Sequence, residues 1–371
     1  MQLAEFTRTL EQWAPLQLQE DYDNCGLLVG DPKMRLHGVL TTLDCTEAVV
    51  DEAMEQGCNL IVAHHPILFA GIKNLRPDHY VQRTLLKAIR HQIAIYAAHT
   101  NLDHLAEGVN GKLSQILGLQ ERRILKPQKG PLRKLVCYVP EVSLESGRPA
   151  VDHVRDALFA AGAGQIGDYD QCSFGMPGTG TFRPLDGAQP FMGQSGERSA
   201  ASEFRIEVIY PRHIEARLLR AMIEAHPYQE VAHDIIPLAN MHPEIGAGMI
   251  GDLPAPMLEE DFLVFVKEQL RGASLRHSPL RGQSVSRVAL CGGAGFFLFE
   301  DALKHNADAL ITADLKYHQF FEADGRMLLV DPGHYESEQF TIELLQEKLM
   351  ELFPNFAVLK STQNTNPVNY Y

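Results

Sequence analysis

Along the first third of the chain, short apolar, β-branched runs alternate with stretches whose apolar residues recur at helical spacing. GVLTTLD (38–44) predicts a strand. TEAVVDEAMEQG (46–57) predicts a helix opened by Thr46 as N-cap and stopped at Gly57. NLIVAHHP (59–66) is a continuous apolar strand ending in His-His-Pro. A helix from about Val81 to His91 and the strand IAIYAAH (93–99) continue the series. Apolar strands joined by helices imply parallel βαβ units, buried on both faces.

The last third repeats the pattern. RVALC (287–291), a Gly-rich turn, a helix over roughly Phe296 to Asn306 and DALIT (308–312) form a second βαβ unit. A further helix, the strand MLLVD (327–331) and one long helix from about Tyr335 to Leu352 follow. EAMEQGCNLIVAHH (52–65) aligns without a gap on DALKHNADALITAD (301–314), with His65 opposite Asp314. Two similar halves facing each other across a shared site are the expectation. In parallel sheets of this kind ligands bind beyond the carboxyl ends of the strands, and His64, Asp103 and His334 each lie just past such an end.

The middle differs in composition. Residues 173–200 hold six Gly and three Pro in 28 positions, which predicts a loop or mobile hairpin. On either side, LVCYVP (135–140) leads into a helix at Ala150–Ala161, and FRIEVIYP (204–211) into one at His213–Ala225. Two strand–helix–strand units in succession read as a ferredoxin-like α+β module. The expected architecture is therefore an α/β core domain of two similar βαβ halves, residues 1–127 and 236–371, interrupted by an α+β insert at 128–235.

Composition narrows the classes. With 371 residues the chain suits two domains or one large domain with an insertion, and 45% apolar against 22% charged residues is the balance of a globular protein. No apolar run reaches the roughly 18 residues a membrane helix needs, and MQLAEFTRTL lacks the order of a signal peptide. Six cysteines without a CxxC read as reduced thiols, so a cytoplasmic location is expected. The net charge of −14 argues against nucleic acid as a partner. The one basic cluster, Arg122, Arg123, Lys126, Lys129, Arg133 and Lys134, reads as a solvated linker before it reads as a phosphate-binding stripe.

Five ligand-type groups carry the candidate chemistry. His64 and His65 are adjacent at a strand end before Pro66, where they can diverge toward two ions or simply pack. Asp103 closes HTNLD after another strand, where an Asp taken alone is most often a loop or cap residue. His334 and Glu338 are spaced i, i+4 and share one helix face. Taken together, three imidazoles and two carboxylates at strand ends match the mixed N/O set of a two-metal hydrolytic site, with Glu338 as the bridge. Asp314 and His318, four apart, are candidate catalytic groups: Asp314 orienting a ligand, His318 serving as general acid or base, or else the pair being a cap and a packed histidine. Asn24 reads as a turn residue that could reach substrate, and His99 as structural. GGAG (292–295) reads as a tight turn, since Leu298 breaks the GxGxxG fingerprint.

DYDNCGLLVGD (21–31), LIVAHHPILF (60–69), HTNLD (99–103), TADLKYH (312–318) and DPGHYESEQ (331–339) together resemble the Nif-three-like dinuclear-metal family, the GTP cyclohydrolase type 2 homologues. The resemblance implies that His64 and Asp103 bind one metal, His65 and His334 the other, and that Glu338 bridges. It also implies that the middle insert is the PII-like module of the longer members and that the chain forms a toroidal homohexamer around an internal cavity. Cys25 stands where the motif often has Val, and Ala313 where Gly is usual; neither is a ligand position.

Two divalent ions of unknown identity (Zn, Mn, Fe or Ni all accept this set) would polarise a substrate and supply hydroxide as the nucleophile. The implied activity is a metal-dependent hydrolase acting on a nucleotide-type substrate, GTP by resemblance, although no residue singled out recognises guanine. A metal-dependent phosphoesterase uses the same site. A scaffold or regulatory oligomer, metal-stabilised and with a small-molecule- or partner-binding insert, is the alternative of another class.

Overall fold

The computed structural model describes residues 1–371, which divide into two compact units, Met1–Pro127 with Pro243–Tyr371, and Gln128–His242. The fold is α/β as the periodicity predicts.

The larger unit holds two sheets. In the first, the strands Leu60–Ala63, Val39–Thr42, Ala94–Ala97 and Val358–Lys360 run parallel, and Gly26–Val29 pairs antiparallel with Ala94–Ala97 at one edge. The strands 39–42, 60–63 and 94–97 are buried at every position, which is why their sequences carry no polar alternation. The helix Glu47–Glu55 begins where Thr46 accepts a hydrogen bond from Val49 N at 3.3 Å. It lays Val49, Val50 and Ala53 on one core, while the helix Tyr80–Arg90 adds Leu85 and Ala88.

The second sheet places Ser284–Leu290, Ala309–Ile311 and Leu328–Asp331 in parallel, flanked by Met241–Leu258, Gln120–Lys129 and Arg276–His277. The two sheets thus exchange edges across the sequence. The strand at 120–129 joins the sheet built mainly from the last third, and 358–360 joins the sheet of the first.

Two expectations change here. The basic stretch at 122–134 is no linker: it belongs to the strands Gln120–Lys129 and Leu132–Pro140, because Ile124 and Leu125 are both buried. Three of its six cations are also paired, Lys126 with Asp301 at 3.3 Å, Arg133 with Glu215 at 2.5 Å and Lys134 with Glu207 at 2.8 Å. The long helix expected from Tyr335 to Leu352 is two helices, His334–Glu338 and Thr341–Leu352. Phe340 turns into the core at the break, and the Gln339 side chain donates to the Leu270 carbonyl at 2.9 Å.

The smaller unit runs strand, helix, strand, strand, helix, strand, with Ala150–Ala160 and Glu215–Ala225 as its helices. Its sheet order is Phe174–Phe182, Ser199–Pro211, Leu132–Pro140, His233–Pro237, antiparallel throughout. This is the βαββαβ arrangement of a ferredoxin-like sheet. The Gly-rich stretch forms one arm of a hairpin, with nine residues from Phe174 to Phe182 in register with Ser199–Glu207. All six cysteines are free thiols. No helix is long and apolar enough to cross a membrane.

Candidate metal centre

The carboxyl ends of the two sheets in the larger unit bring His64, His65, Asp103, His334 and Glu338 together. His64 and His65 follow the strand Leu60–Ala63 directly, and Asp103 closes the one-turn helix Thr100–Asp103 after Ala94–Ala97. His334 and Glu338 begin and end a five-residue helix entered through Gly333, whose φ of 102° suits glycine.

Glu338 is the hub. Its Oε2 lies 2.9 Å from His65 Nε2, 3.0 Å from His334 Nε2 and 4.0 Å from His64 Nε2. The two imidazole nitrogens of His65 and His334 are 3.4 Å apart. Burial opposes the charge of Glu338, but hydrogen bonds from His334 and His65 outweigh it and hold the carboxyl well below its ordinary range.

His64 and Asp103 make a different pair. The His64 ring is fully buried and donates from Nδ1 to the Ala98 carbonyl at 2.8 Å, which turns Nε2 toward Asp103. Burial pushes its pKa down to about 3, against the attraction of Glu338, so the ring is neutral and Nε2 carries a lone pair. Asp103 Oδ1 faces it at 3.7 Å. Both atoms are buried and neither has a hydrogen-bond partner. Burial, followed by repulsion from Glu338, raises the Asp103 carboxyl well above its usual value. Two buried ligand atoms facing one another without a partner suit a cation, since an unmet buried polar atom otherwise costs about 1–3 kcal/mol.

Supporting carboxylates hold the other two rings. His65 Nδ1 bonds Asp44 Oδ1 at 2.7 Å, and His334 Nδ1 bonds Asp314 Oδ2 at 2.8 Å. A carboxylate on the far nitrogen fixes the ring and directs Nε2 at an ion, the usual support of a metal-binding histidine. Burial disfavours charge on both rings, yet the bonds to Asp44 and Glu338 raise His65 to about 10, and those to Glu338 and Asp314 raise His334 to about 9. Asp44 is itself held by Thr365, whose hydroxyl donates to Oδ2 at 2.6 Å.

Of the two candidate catalytic residues, the fold brings only Asp314 to the cluster. His318 is exposed at the start of the short helix Gln319–Glu322, edge-on to Tyr317. Asp314 takes a φ of 57° and buries Leu315, which carries the following residues away from the site. His318 lines neither of the cavities beside the cluster. Asn24 lies just after the turn at residues 21–22, and its side-chain amide donates to the Leu68 carbonyl at 2.7 Å.

His99, expected to be structural, stands in the cluster. A ligand-type nitrogen of its ring lies within 4.8 Å of those of His64 and His65, and its ring centroid is 5.1 Å from that of His64. Asp23 fixes it through Nδ1 at 2.9 Å. GGAG also has a definite role. Gly293, at φ 59°, donates from its amide to Ser337 Oγ at 3.0 Å, and a Cβ there would meet Glu338 Oε1 at 2.4 Å. The turn is shaped to admit the hub carboxylate.

Cavities open on both sides of the cluster. One of about 470 Å³ is lined by Asp44, His65, Asp314, His334 and the tail residues Asn366–Val368 and Tyr370; the other, of about 390 Å³, by Tyr22, Phe69, His99, Asp103, Phe297 and Glu338.

Comparison with known proteins agrees with this arrangement of sheets. The family model described as Duf34/NIF3 (NGG1p interacting factor 3) matches residues 1–367. The chain is 38% identical to a Bacillus subtilis protein named GTP cyclohydrolase 1 type 2 homolog, over 99% of this chain and 98% of that one. It is 39% identical to the protein of the same name from Halalkalibacterium halodurans, over 97% and 96%. Among solved structures, a Bacillus cereus protein related to NIF3 superposes with a TM-score of 0.88 at 35% identity, covering 100% of this chain and 99% of that one. With matches along its whole length, the chain belongs to the Duf34/NIF3 family.

Proposed function

We propose that this cluster binds two divalent metal ions and that the protein is a metal-dependent hydrolase. The observation that carries the reading is the unpartnered pair His64 Nε2 and Asp103 Oδ1, buried 3.7 Å apart beside the Glu338 hub. His64 and Asp103 would hold one ion, His65 and His334 the other, and Glu338 would bridge. Bound there, the ions would supply Lewis acidity and a water acidified toward neutrality. Asp44 and Asp314 keep Nε2 of His65 and His334 aimed inward, and Asn110 donates to the Asp103 carbonyl at 3.0 Å, steadying that ligand's backbone. The cavity beside Asp103 and Glu338, with Tyr22, Phe69 and Phe297 on its walls, is where a substrate would lie.

A nucleotide-type substrate follows from the name shared by the relatives, and a phosphoester suits the ligand chemistry equally. A cytoplasmic homohexamer whose insert at 128–235 is PII-like completes the proposal. Elemental analysis of the protein beside the His65→Ala, Glu338→Ala double variant tests it. About two equivalents of transition metal, markedly reduced in the variant, support the site; no metal in either after reconstitution overturns it. Turnover of GTP against that of phosphoesters then decides the reaction.

A regulatory or scaffold role keeps one observation in its favour: the unit Gln128–His242 has its own core and contributes no residue to the cluster. A metal-loaded protein without turnover on nucleotides or esters would favour that role.

A further inference from the structure

The smaller unit contains a cavity of about 440 Å³ formed between the far end of its long hairpin and the segment after the helix Glu215–Ala225. Three aromatic side chains line it. Tyr228 stands between Phe182 and Phe191, with ring centroids 6.5 and 6.0 Å away and both ring planes inclined at 50°. At these distances and tilts the rings touch at an incline rather than stack, and all three line the cavity. The Tyr228 hydroxyl donates to Glu203 Oε1 at 3.0 Å, which enriches the ring's face in electron density and puts a carboxylate at the cavity wall. Glu230 adds a second carboxylate and Arg183 the one cationic side chain. The loop is tied across the opening by the Gln189 amide, which donates to Gln229 Oε1 at 3.0 Å. Leu185 and Phe191 nevertheless stay 65% and 49% exposed.

Aromatic faces set around a space, with carboxylates and an apolar rim, form the environment that receives a weakly hydrated organic cation. An ordinary metal ion or an ammonium would keep its water and gain little from such walls, whereas an N-methylated cation loses little hydration and fills them. We propose that this cavity binds an organic cation of the quaternary or N-methylated ammonium class, with its charged head between Tyr228 and the two phenylalanines and an apolar body against Leu185. Arg183 is already exposed to solvent, and the carboxylates of Glu203 and Glu230 balance the bound charge. The site is independent of the metal cluster.

Calorimetric titration of the full chain with benzyltrimethylammonium and with choline tests the proposal, with 3,3-dimethylbutan-1-ol as the uncharged counterpart of choline. Both cations are expected to bind, and the alcohol is expected to bind at least fivefold more weakly than choline. Tyr228→Leu and Phe191→Leu should each weaken binding roughly two- to thirtyfold, the range spanned by exposed to desolvated cation–aromatic contacts. Phe191 is half exposed, so its substitution leaves the fold intact even if Tyr228→Leu does not. Glu203→Gln should weaken the cations and leave the alcohol unchanged. Equal affinity for choline and the alcohol, wild-type affinity in Phe191→Leu and Glu203→Gln, or no binding of either cation at millimolar concentration would overturn it.

Discussion

His64 Nε2 and Asp103 Oδ1 face one another across 3.7 Å, both buried and neither given a proton by any neighbour. Replacing Asp103 with Asn puts an N–H donor opposite the lone pair of His64. Where the Asp103 carboxyl is ionised, Asp103→Asn should therefore stabilise the metal-free protein by about 1–3 kcal/mol, the cost of the buried unmet atoms it satisfies. It should also lower bound metal from about two equivalents to about one. Thermal melts of the chelator-treated proteins and elemental analysis of the loaded ones measure both; a metal-free variant that melts below wild type would contradict the pairing.

Gly293 borders the hub closely enough that a methyl group would fall 2.4 Å from Glu338 Oε1, and its φ of 59° disfavours any side chain. Gly293→Ala should cost about 1–3 kcal/mol in backbone strain and displace Glu338 from His65 and His334. Denaturant midpoints report the first effect, and loss of metal from both positions at once reports the second.

Asp44 touches no proposed ion but orients His65. Asp44→Ala should weaken metal retention by about 10- to 100-fold while the fold survives, as loss of a carboxylate behind a metal-binding histidine does. Competition with a chromophoric chelator measures it, and unchanged affinity would assign Asp44 a packing role instead. Thr365→Val, which removes the hydroxyl that holds Asp44, should move affinity in the same direction by less.

Glu52 pins the segment that carries Thr365. Its buried carboxylate accepts from the Ser361 hydroxyl at 2.5 Å and from the Thr362 amide and hydroxyl at 2.8 and 2.6 Å. Burial opposes its charge, yet these donors hold its pKa below 4.5. The unfolded chain then binds the proton more readily than the folded one, so stability rises with pH over that interval. The contribution is complete above about pH 4.5 and lost as the pH falls through the lowered value. The gap in urea midpoint between wild type and Glu52→Gln should be large near neutrality and shrink as the pH falls below about 4.5. A gap that widens on acidification would reverse the sign.

The parts of the site legible in the sequence are those set by local pattern. Leu60–Ala63 is an unbroken apolar run, so its end, and with it His64 and His65, could be located from spacing alone. His334 and Glu338 followed from one helical turn. Asp44 carried the same signal, a carboxylate just past the strand Val39–Thr42, and went unassigned because a strand end alone does not distinguish a ligand from its support. His99 was illegible for another reason: its role depends on Asp23, 76 residues away, and no periodicity reports which loops meet. The exposed position of His318 was illegible because it follows a residue, Asp314, at positive φ, and nothing local to TADLKYH encodes that turn. The break at Phe340 was likewise hidden, since an apolar residue at that position also fits an uninterrupted helix.

His65 and Glu338 meet across 273 residues of sequence, and the two sheets of their unit trade edge strands from opposite thirds of the chain. During synthesis, a chain that has only its first third outside the ribosome presents His64, His65 and Asp103 without the carboxylate that organises them. The complete proposed ligand set comes into being only with long-range closure. On the proposed ligand set, metal choice would thereby be deferred to the finished fold, and the identity of the ions would reflect what the cell holds in exchangeable form when assembly ends.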